Sequence, residues 1–202
     1  MKQRVPILMV AIALCGCTSG PNWKRQAFAF SLAADPPATH ATEMIAALSR
    51  VSISPTFQSR SFTYRTGENS YEQDPYAGFL IPPERALAEP IRAWMRSGGV
   101  FGRVAEPGSG VAPTLMVEVS INELYGDFRN PSHPIATMGL HVMCYEMPDG
   151  IPKRVVFDMS CSHETPMARK TPAALMEAWD MDLREIMTEI NSEYAKTISK
   201  DR

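Results

Sequence analysis

Leu115-Met116-Val117-Glu118-Val119-Ser120-Ile121-Asn122 places Leu115, Val117, Val119 and Ile121 on one side of an extended chain and Met116, Glu118, Ser120 and Asn122 on the other. That period of two is the mark of a half-buried strand. The breaker-rich segment Asn130-Pro131-Ser132-His133-Pro134 follows. A second alternating run then puts Ala136, Met138, Leu140, Val142 and Cys144 against Thr137, Gly139, His141 and Tyr145. After Pro148-Asp149-Gly150, Val155, Phe157, Met159 and Cys161 share a face opposite Arg154, Asp158, Ser160 and Ser162. Three consecutive strands predict an antiparallel meander. A two-residue Asp149-Gly150 turn predicts Val142 opposite Phe157 and Leu140 opposite Met159, with Cys144 opposite Val155 and Cys161 opposite Met138. In that register the thiols of Cys144 and Cys161 lie about 20 Å apart along the ladder, whereas a disulfide needs Cα atoms within about 7 Å. Two buried free thiols are expected.

Working outward, Thr171-Pro172 reads as an N-cap followed by proline at the first helical position. Leu175, Trp179, Leu183, Ile186, Ile190 and Tyr194 recur every three to four residues, predicting a long amphipathic helix to about Ile198. A second helix is expected over Glu84 to Ser97, with Leu87, Ile91, Trp94 and Met95 on one side and Gly98-Gly99 as its stop. Pro90 inside this pattern either kinks or restarts it. Strands are expected at Ala27 to Leu32, Val51 to Ser54, Ser59 to Thr66 and Val100 to Val104, and Thr42 to Ile45 either opens a short helix or links. Glu68 to Pro83, aromatic and proline-containing, reads as a long loop of the functional kind. The fold class is α+β: an antiparallel or mixed β-sheet packed against two main helices, the longer one C-terminal.

The N-terminus carries an address. Lys2 and Arg4 precede the apolar run Val5 to Leu14, and Leu14-Cys15-Gly16-Cys17 resembles a bacterial lipobox. The apolar run is about half of the ~20 residues that cross a bilayer. Cys15 competes as the modified residue, but bulky Leu14 precedes it, while small Gly16 precedes Cys17. The expected organisation is a lipoprotein signal peptide at 1–16, a tether at 17–25 beginning with lipidated Cys17, and a single domain at 26–202. Acyl chains on Cys17 suffice for stable anchoring. Thr18, not an aspartate, follows the cysteine, which favours the periplasmic face of the outer membrane.

Charge excludes little beyond nucleic acid. Removing Lys2 and Arg4 with the leader takes the formal net charge from −2 to −4, and no basic run marks a phosphate-backbone partner. His40, His133, His141 and His163 form no metal-ligand spacing, and the chain lacks G-x-S-x-G, Walker and H-E-x-x-H motifs. The acids Asp180, Asp182, Glu185 and Glu189, with Arg184 among them, read as a solvated helix face. No catalytic residue, metal or cofactor is expected.

In order, the lipobox at Cys17, Phe28-Ala29-Phe30-Ser31-Leu32, Ser61-Phe62-Thr63-Tyr64-Arg65, and the aromatic segment Tyr71 to Phe79 form the first landmarks. Arg92-Ala93-Trp94-Met95-Arg96-Ser97-Gly98-Gly99-Val100-Phe101, Leu115-Met116-Val117-Glu118-Val119 and the last helix complete the series. This order resembles the ABC-type transport auxiliary lipoprotein component family. The family pattern carries a tryptophan where Phe79 aligns, and Pro90 departs from it. The resemblance implies a non-enzymatic subunit working beside an MCE-domain protein and its ABC transporter, moving phospholipids or other hydrophobic substrates. It also allows a ring-like homo-oligomer. Arg65, Tyr71, Tyr76 and Phe79 are then candidate partner-binding residues; Phe62 and Tyr64 serve either that surface or the core, and Arg65 pairs either with Glu68 or Asp74 or with the partner. An envelope structural or assembly lipoprotein is the competing expectation.

Overall fold

The structure is a computed structural model, and it describes residues 24–31, 44–97 and 100–200. The leader, Cys17, Leu32, Thr42-Glu43 and the Gly98-Gly99 stop lie outside the described residues. The elements run β1 Gln26–Phe28, β2 Ile45–Ile53, β3 Ser61–Arg65, β4 Tyr71–Phe79, α1 Pro83–Ser97, β5 Arg103–Val104, β6 Leu115–Asp127, β7 Ile135–Glu146, β8 Val155–Pro166 and α2 Pro172–Lys200. This is an α+β fold with one mixed sheet and the longer helix C-terminal.

The longest strand, β6, organises the sheet. On one side it pairs antiparallel with β7, and β7 with β8, giving the meander. On its other side two strands lie end to end: β2 runs parallel to residues 115–121, and β3 runs parallel to Gly126 and Asp127. A 3₁₀ turn at Pro55–Phe57 joins them. Beyond β3 come antiparallel β4 and then parallel β1, and beyond the start of β2 comes β5.

The apolar positions of both alternating runs are buried, while Thr137 and Gly139 on the other face of β7 are buried as well. Leu115, Val117, Val119, Ile121, Ala136, Met138, Leu140, Val142 and Cys144 are all buried. Both helices cover this face: Ile91, Trp94 and Met95 of α1 meet Met187, Ile190 and Tyr194 of α2 above Val117, Val142 and Phe157. The opposite face is polar and cross-linked, with Ser52 and Ser120 sharing an Oγ–Oγ bond of 2.9 Å and the Tyr145 hydroxyl donating to Glu118 at 3.0 Å.

The hairpin register differs from the expected one by two residues. Val142 faces Met159, Leu140 faces Cys161 and Cys144 faces Phe157. Pro148–Gly150 forms a 3₁₀ turn with Asp149 at φ 57 and Gly150 at φ 77. The ladder closes farther out, where the Lys153 amide donates to the Glu146 carbonyl at 2.9 Å. Asp149-Gly150 is thus the tip of a longer loop. A shift of two preserves which face each side chain occupies, so Phe157 and Cys161 are still buried. Cys161 sits across from Leu140, four positions from Cys144 or about 13 Å along the ladder, and both thiols are free and buried. Val155 is exposed instead of sharing the apolar face, because a bulge at Cys144/Tyr145 shifts the pairing at the mouth of β8.

Several other boundaries differ. Ile45, expected in a helix start or link, begins β2, which extends the strand expected from Val51 backward by six residues. The Val100 to Val104 strand contracts to Arg103–Val104. α1 does not restart at Pro90 but runs through it as one helix from Pro83 to Ser97, while forgoing the backbone bond to Ala86. In α2, Thr171 Oγ1 accepts the Ala174 amide at 3.3 Å as the N-cap, and the apolar stripe from Leu175 to Tyr194 is buried.

Candidate docking surface

The segment from Glu68 to Pro83, expected as a loop, contains β4. Its breakers are housed in a wide bulge: Ser61 pairs with Gly78 and Thr63 with Gln73, so Phe62 alone faces residues 74–77. Asp74 completes that bulge with its side chain. Its Oδ1 accepts the amides of Tyr76 and Ala77 at 2.7 and 2.9 Å, and its Oδ2 accepts the Tyr64 hydroxyl at 2.5 Å. Burial and Asp74 push the Tyr64 hydroxyl well above the usual phenol range. Pro75 has no amide to satisfy, which suits a bulge.

The bulge divides the four candidate contact residues among three places. Phe79 is 3 % exposed and belongs to the core, stacked on Trp179 at 5.5 Å and edge-on to Phe62 at 4.9 Å. Its assignment to a docking surface is overturned: it follows the bulge, where the strand has turned its side chain under α2. Phe62 is fully buried beside it. Tyr76 projects from the bulge near the start of β1 and is 47 % exposed.

Arg65 and Tyr71 remain together, paired across the β3–β4 hairpin. The Tyr71 ring stands edge-on to Phe57 and Tyr125, at 6.0 and 5.8 Å, and those two stack on each other at 5.7 Å. Phe57 and Tyr125 are buried, while Tyr71 is 41 % exposed. Two rigid rings therefore hold the third at the surface. Arg65 Nη2 donates to the Glu68 backbone carbonyl at 2.9 Å. Arg129 clasps Asp127 through Nε and Nη2, the latter at 2.6 Å, and approaches Glu68 at 3.7 Å. That bond holds the Asp127 carboxyl below the usual range. An aromatic anchor rimmed by partly exposed charge is the composition of a protein contact. Phe57, Tyr125 and Arg129 were not singled out from sequence: Phe57 sits in a turn, and Tyr125 lies beyond a bulge that inverts the alternation of β6 after Ile121.

The acidic face of α2 is not simply solvated. Asp182 is fully buried, its Oδ1 accepting from Thr165 at 2.5 Å and from His163 Nδ1 at 2.9 Å. Burial pushes its carboxyl up to about 6, against the pull of those two donors. Asp180 receives the Ser31 hydroxyl at 2.6 Å, and Glu189 receives the Cys161 thiol at 2.7 Å. Strand β8 lies across α2 and turns Cys161, His163 and Thr165 toward these acids. Burial, followed by Glu189, pushes the Cys161 thiol up to about 12, which suppresses its nucleophilic form. Among the described residues, no group of three or more His, Cys, Asp or Glu side chains converges as a metal site.

The apolar space enclosed by α1, α2 and the sheet measures about 10 Å³, the threshold for one water. A second space of about 210 Å³ lies beside the end of α2, lined by Met44, Val156, Tyr194 and Ile198 with Glu146 and Arg154. No described helix is long and apolar enough to cross a membrane.

No protein-family model and no curated protein matches the chain. Solved structures do. A Xanthomonas campestris protein described by family DUF330 superposes with a TM-score of 0.73 at 19 % identity, covering 87 % of this chain and 98 % of its own. A protein described only as uncharacterized superposes with a TM-score of 0.62 at 10 % identity, covering 89 % of this chain and 99 % of its own. At these identities the likeness establishes a shared fold.

Proposed function

We propose that this chain is a lipid-anchored, non-catalytic docking subunit of an MCE-type ABC transport system for phospholipids or other hydrophobic substrates, held through Cys17 at the periplasmic face of the outer membrane. The observation that carries the reading is the exposed Tyr71 ring, braced by buried Phe57 and Tyr125 and rimmed by Arg129 and Glu68. Such an anchor contributes to recognition because it loses little conformational freedom on binding. The lipobox and the order of sequence landmarks supply the transport context.

Full-length lipoprotein bearing Tyr71→Ala, purified from membranes beside wild type, tests the reading. A hot-spot anchor is worth about 2 kcal/mol, or roughly thirtyfold in affinity. Recovery of the MCE-domain protein should fall sharply while the thermal transition of the domain stays within a few degrees. Equal recovery by the variant removes Tyr71 from the interface. Absence of the MCE protein from the wild-type preparation rejects the transport role in favour of an envelope structural or assembly lipoprotein.

A further inference from the structure

Strand β1 is an outermost strand of the sheet, paired in parallel with the end of β4 through Gln26↔Ala77 and Phe28↔Phe79. It is pinned by Phe28 against Phe62 at 5.3 Å, by Phe30 against Phe79 at 5.8 Å, and by the Leu80 amide on the Phe28 carbonyl at 2.7 Å. The chain therefore joins the folded domain at Arg25 and Gln26, beside Tyr76 and Ala77. Only eight peptide steps separate Cys17 from Arg25, a reach of at most about 28 Å. Helix α2 alone, with 29 residues, is about 43 Å long. An acylated Cys17 thus holds this edge of the domain close to the leaflet.

The edge has a composition suited to that place. Tyr76, Leu80 and Ile81 are 47, 56 and 45 % exposed, three large apolar side chains within six consecutive residues. Exposed Lys24, Arg25 and Arg60 flank them. Arg25 donates to the Ser61 hydroxyl at 3.2 Å, and Arg60 donates to the carbonyls of Phe79 and Leu80, so neither bond neutralises the guanidinium. Residues 24–31, 58–61 and 76–81 hold three cations, against which stand two carboxylates from outside these segments, Asp180 bonded to Ser31 and Asp74 bonded to the Tyr76 and Ala77 amides. The rest of the mature chain is acidic overall, so the positive edge is a local feature. A tyrosine and aliphatic side chains bordered by Lys and Arg match the boundary between headgroups and acyl chains.

We propose that this edge is a membrane-contact surface: Tyr76, Leu80 and Ile81 enter the interface of the leaflet that holds the acyl chains, and Lys24, Arg25 and Arg60 meet its anionic phospholipid headgroups. The proposal rests on the anchoring of Cys17 but not on any MCE partner. It separates two faces of one domain, with the β1 edge toward lipid and the Tyr71 surface left for protein.

The test uses full-length acylated protein reconstituted into phosphatidylethanolamine–phosphatidylglycerol vesicles containing a quencher-labelled lipid. Tyr76→Cys and Leu80→Cys variants carry a fluorophore, and Ile151→Cys, at the β7–β8 turn and 68 % exposed, is the reference. Cys144 and Cys161 are buried. Quenching at positions 76 and 80 should exceed that at 151 at least threefold, and should drop when phosphatidylcholine replaces phosphatidylglycerol or when Lys24→Glu and Arg60→Glu are introduced. Vesicle-bound protein with equal quenching at all three positions overturns the membrane contact and leaves the anchor standing. Protein that fails to stay with the vesicles overturns both.

Discussion

Tyr64 donates its hydroxyl to Asp74 at 2.5 Å across the β3–β4 bulge, and the other oxygen of the same carboxylate closes the bulge on the amides of Tyr76 and Ala77. One side chain thereby supplies bonds on the β3 side of β4 that the bulge takes out of the ladder. Asp74→Ala leaves a half-buried phenol and two amides without that acceptor, and should destabilise the domain by about 2–4 kcal/mol in urea titration. Asp74→Asn, which keeps an acceptor at one position, should recover part of the loss. A change below about 0.5 kcal/mol for the alanine variant would show that the bulge holds itself.

Gly78 admits no side chain. A Cβ there would stand 2.1 Å from the Arg60 carbonyl oxygen, which is backbone and accepts the Phe79 amide at 2.7 Å. Gly78→Ala should cost at least about 3 kcal/mol or prevent accumulation of folded protein. A soluble variant with an unchanged urea midpoint would refute the close approach.

The buried Asp182 carboxyl makes stability fall as pH rises through a defined window. Its acidity lies near 6 in the fold, above the ordinary 3.8. Between these values the folded chain holds more of this proton than the unfolded chain, so the contribution declines from about pH 4 to 6 and is level above. The stability of Asp182→Asn relative to wild type should therefore rise by up to about 3 kcal/mol between pH 4 and pH 7. A difference that stays constant with pH would show that the carboxylate is solvated.

Cys144 and Cys161 should be inert thiols. Burial pushes both up to about 12, so at pH 8 the thiolate fraction is about a thousandth of that of a free cysteine. Iodoacetamide should label both in urea and neither in the native domain over the same minutes, as read by intact mass. Rapid native labelling of Cys161 would mean that its bond to Glu189 opens.

Pro90→Ala should stabilise α1. The substitution restores the backbone bond to Ala86 in a helix that already runs from Pro83 to Ser97, a gain of about 1–3 kcal/mol. Loss of stability would show that the proline ring, half-buried on that helix, is needed for packing.

The meander and α2 were legible because period two and period 3.6 persist over many residues there, and the buried faces of β6 up to Ile121 and of β7 followed from it. The hairpin register was not, since Asp149-Gly150 looks like a two-residue turn until the ladder shows that it closes at Glu146 and Lys153. β4 hid behind Asp74, Pro75 and Gly78, three residues that interrupt a strand pattern and here shape a bulge. That bulge also explains why Tyr71 reached the surface and Phe79 did not. Asp182 alternates with Asp180, Arg184 and Glu185 like any solvated face, and only the passage of β8 across α2 brings His163 and Thr165 over it.

β6 is bordered on one side by two strands that precede it by a long stretch of chain: Ile45 bonds to Thr114 across 69 residues and Ser52 to Ser120 across 68. A chain that emerges N-terminus first presents β2 and β3 long before the strand they need exists. Closure must await residues 115–127, and such non-local parallel pairing places folding toward the millisecond-to-second range. Until then the edges of β2 and β3 that pair with β6 are uncovered, in the condition that invites mispairing with neighbouring chains. The order in which this sequence is delivered thus leaves two strands waiting on a third, and the arrival of β6 is the step that closes the sheet.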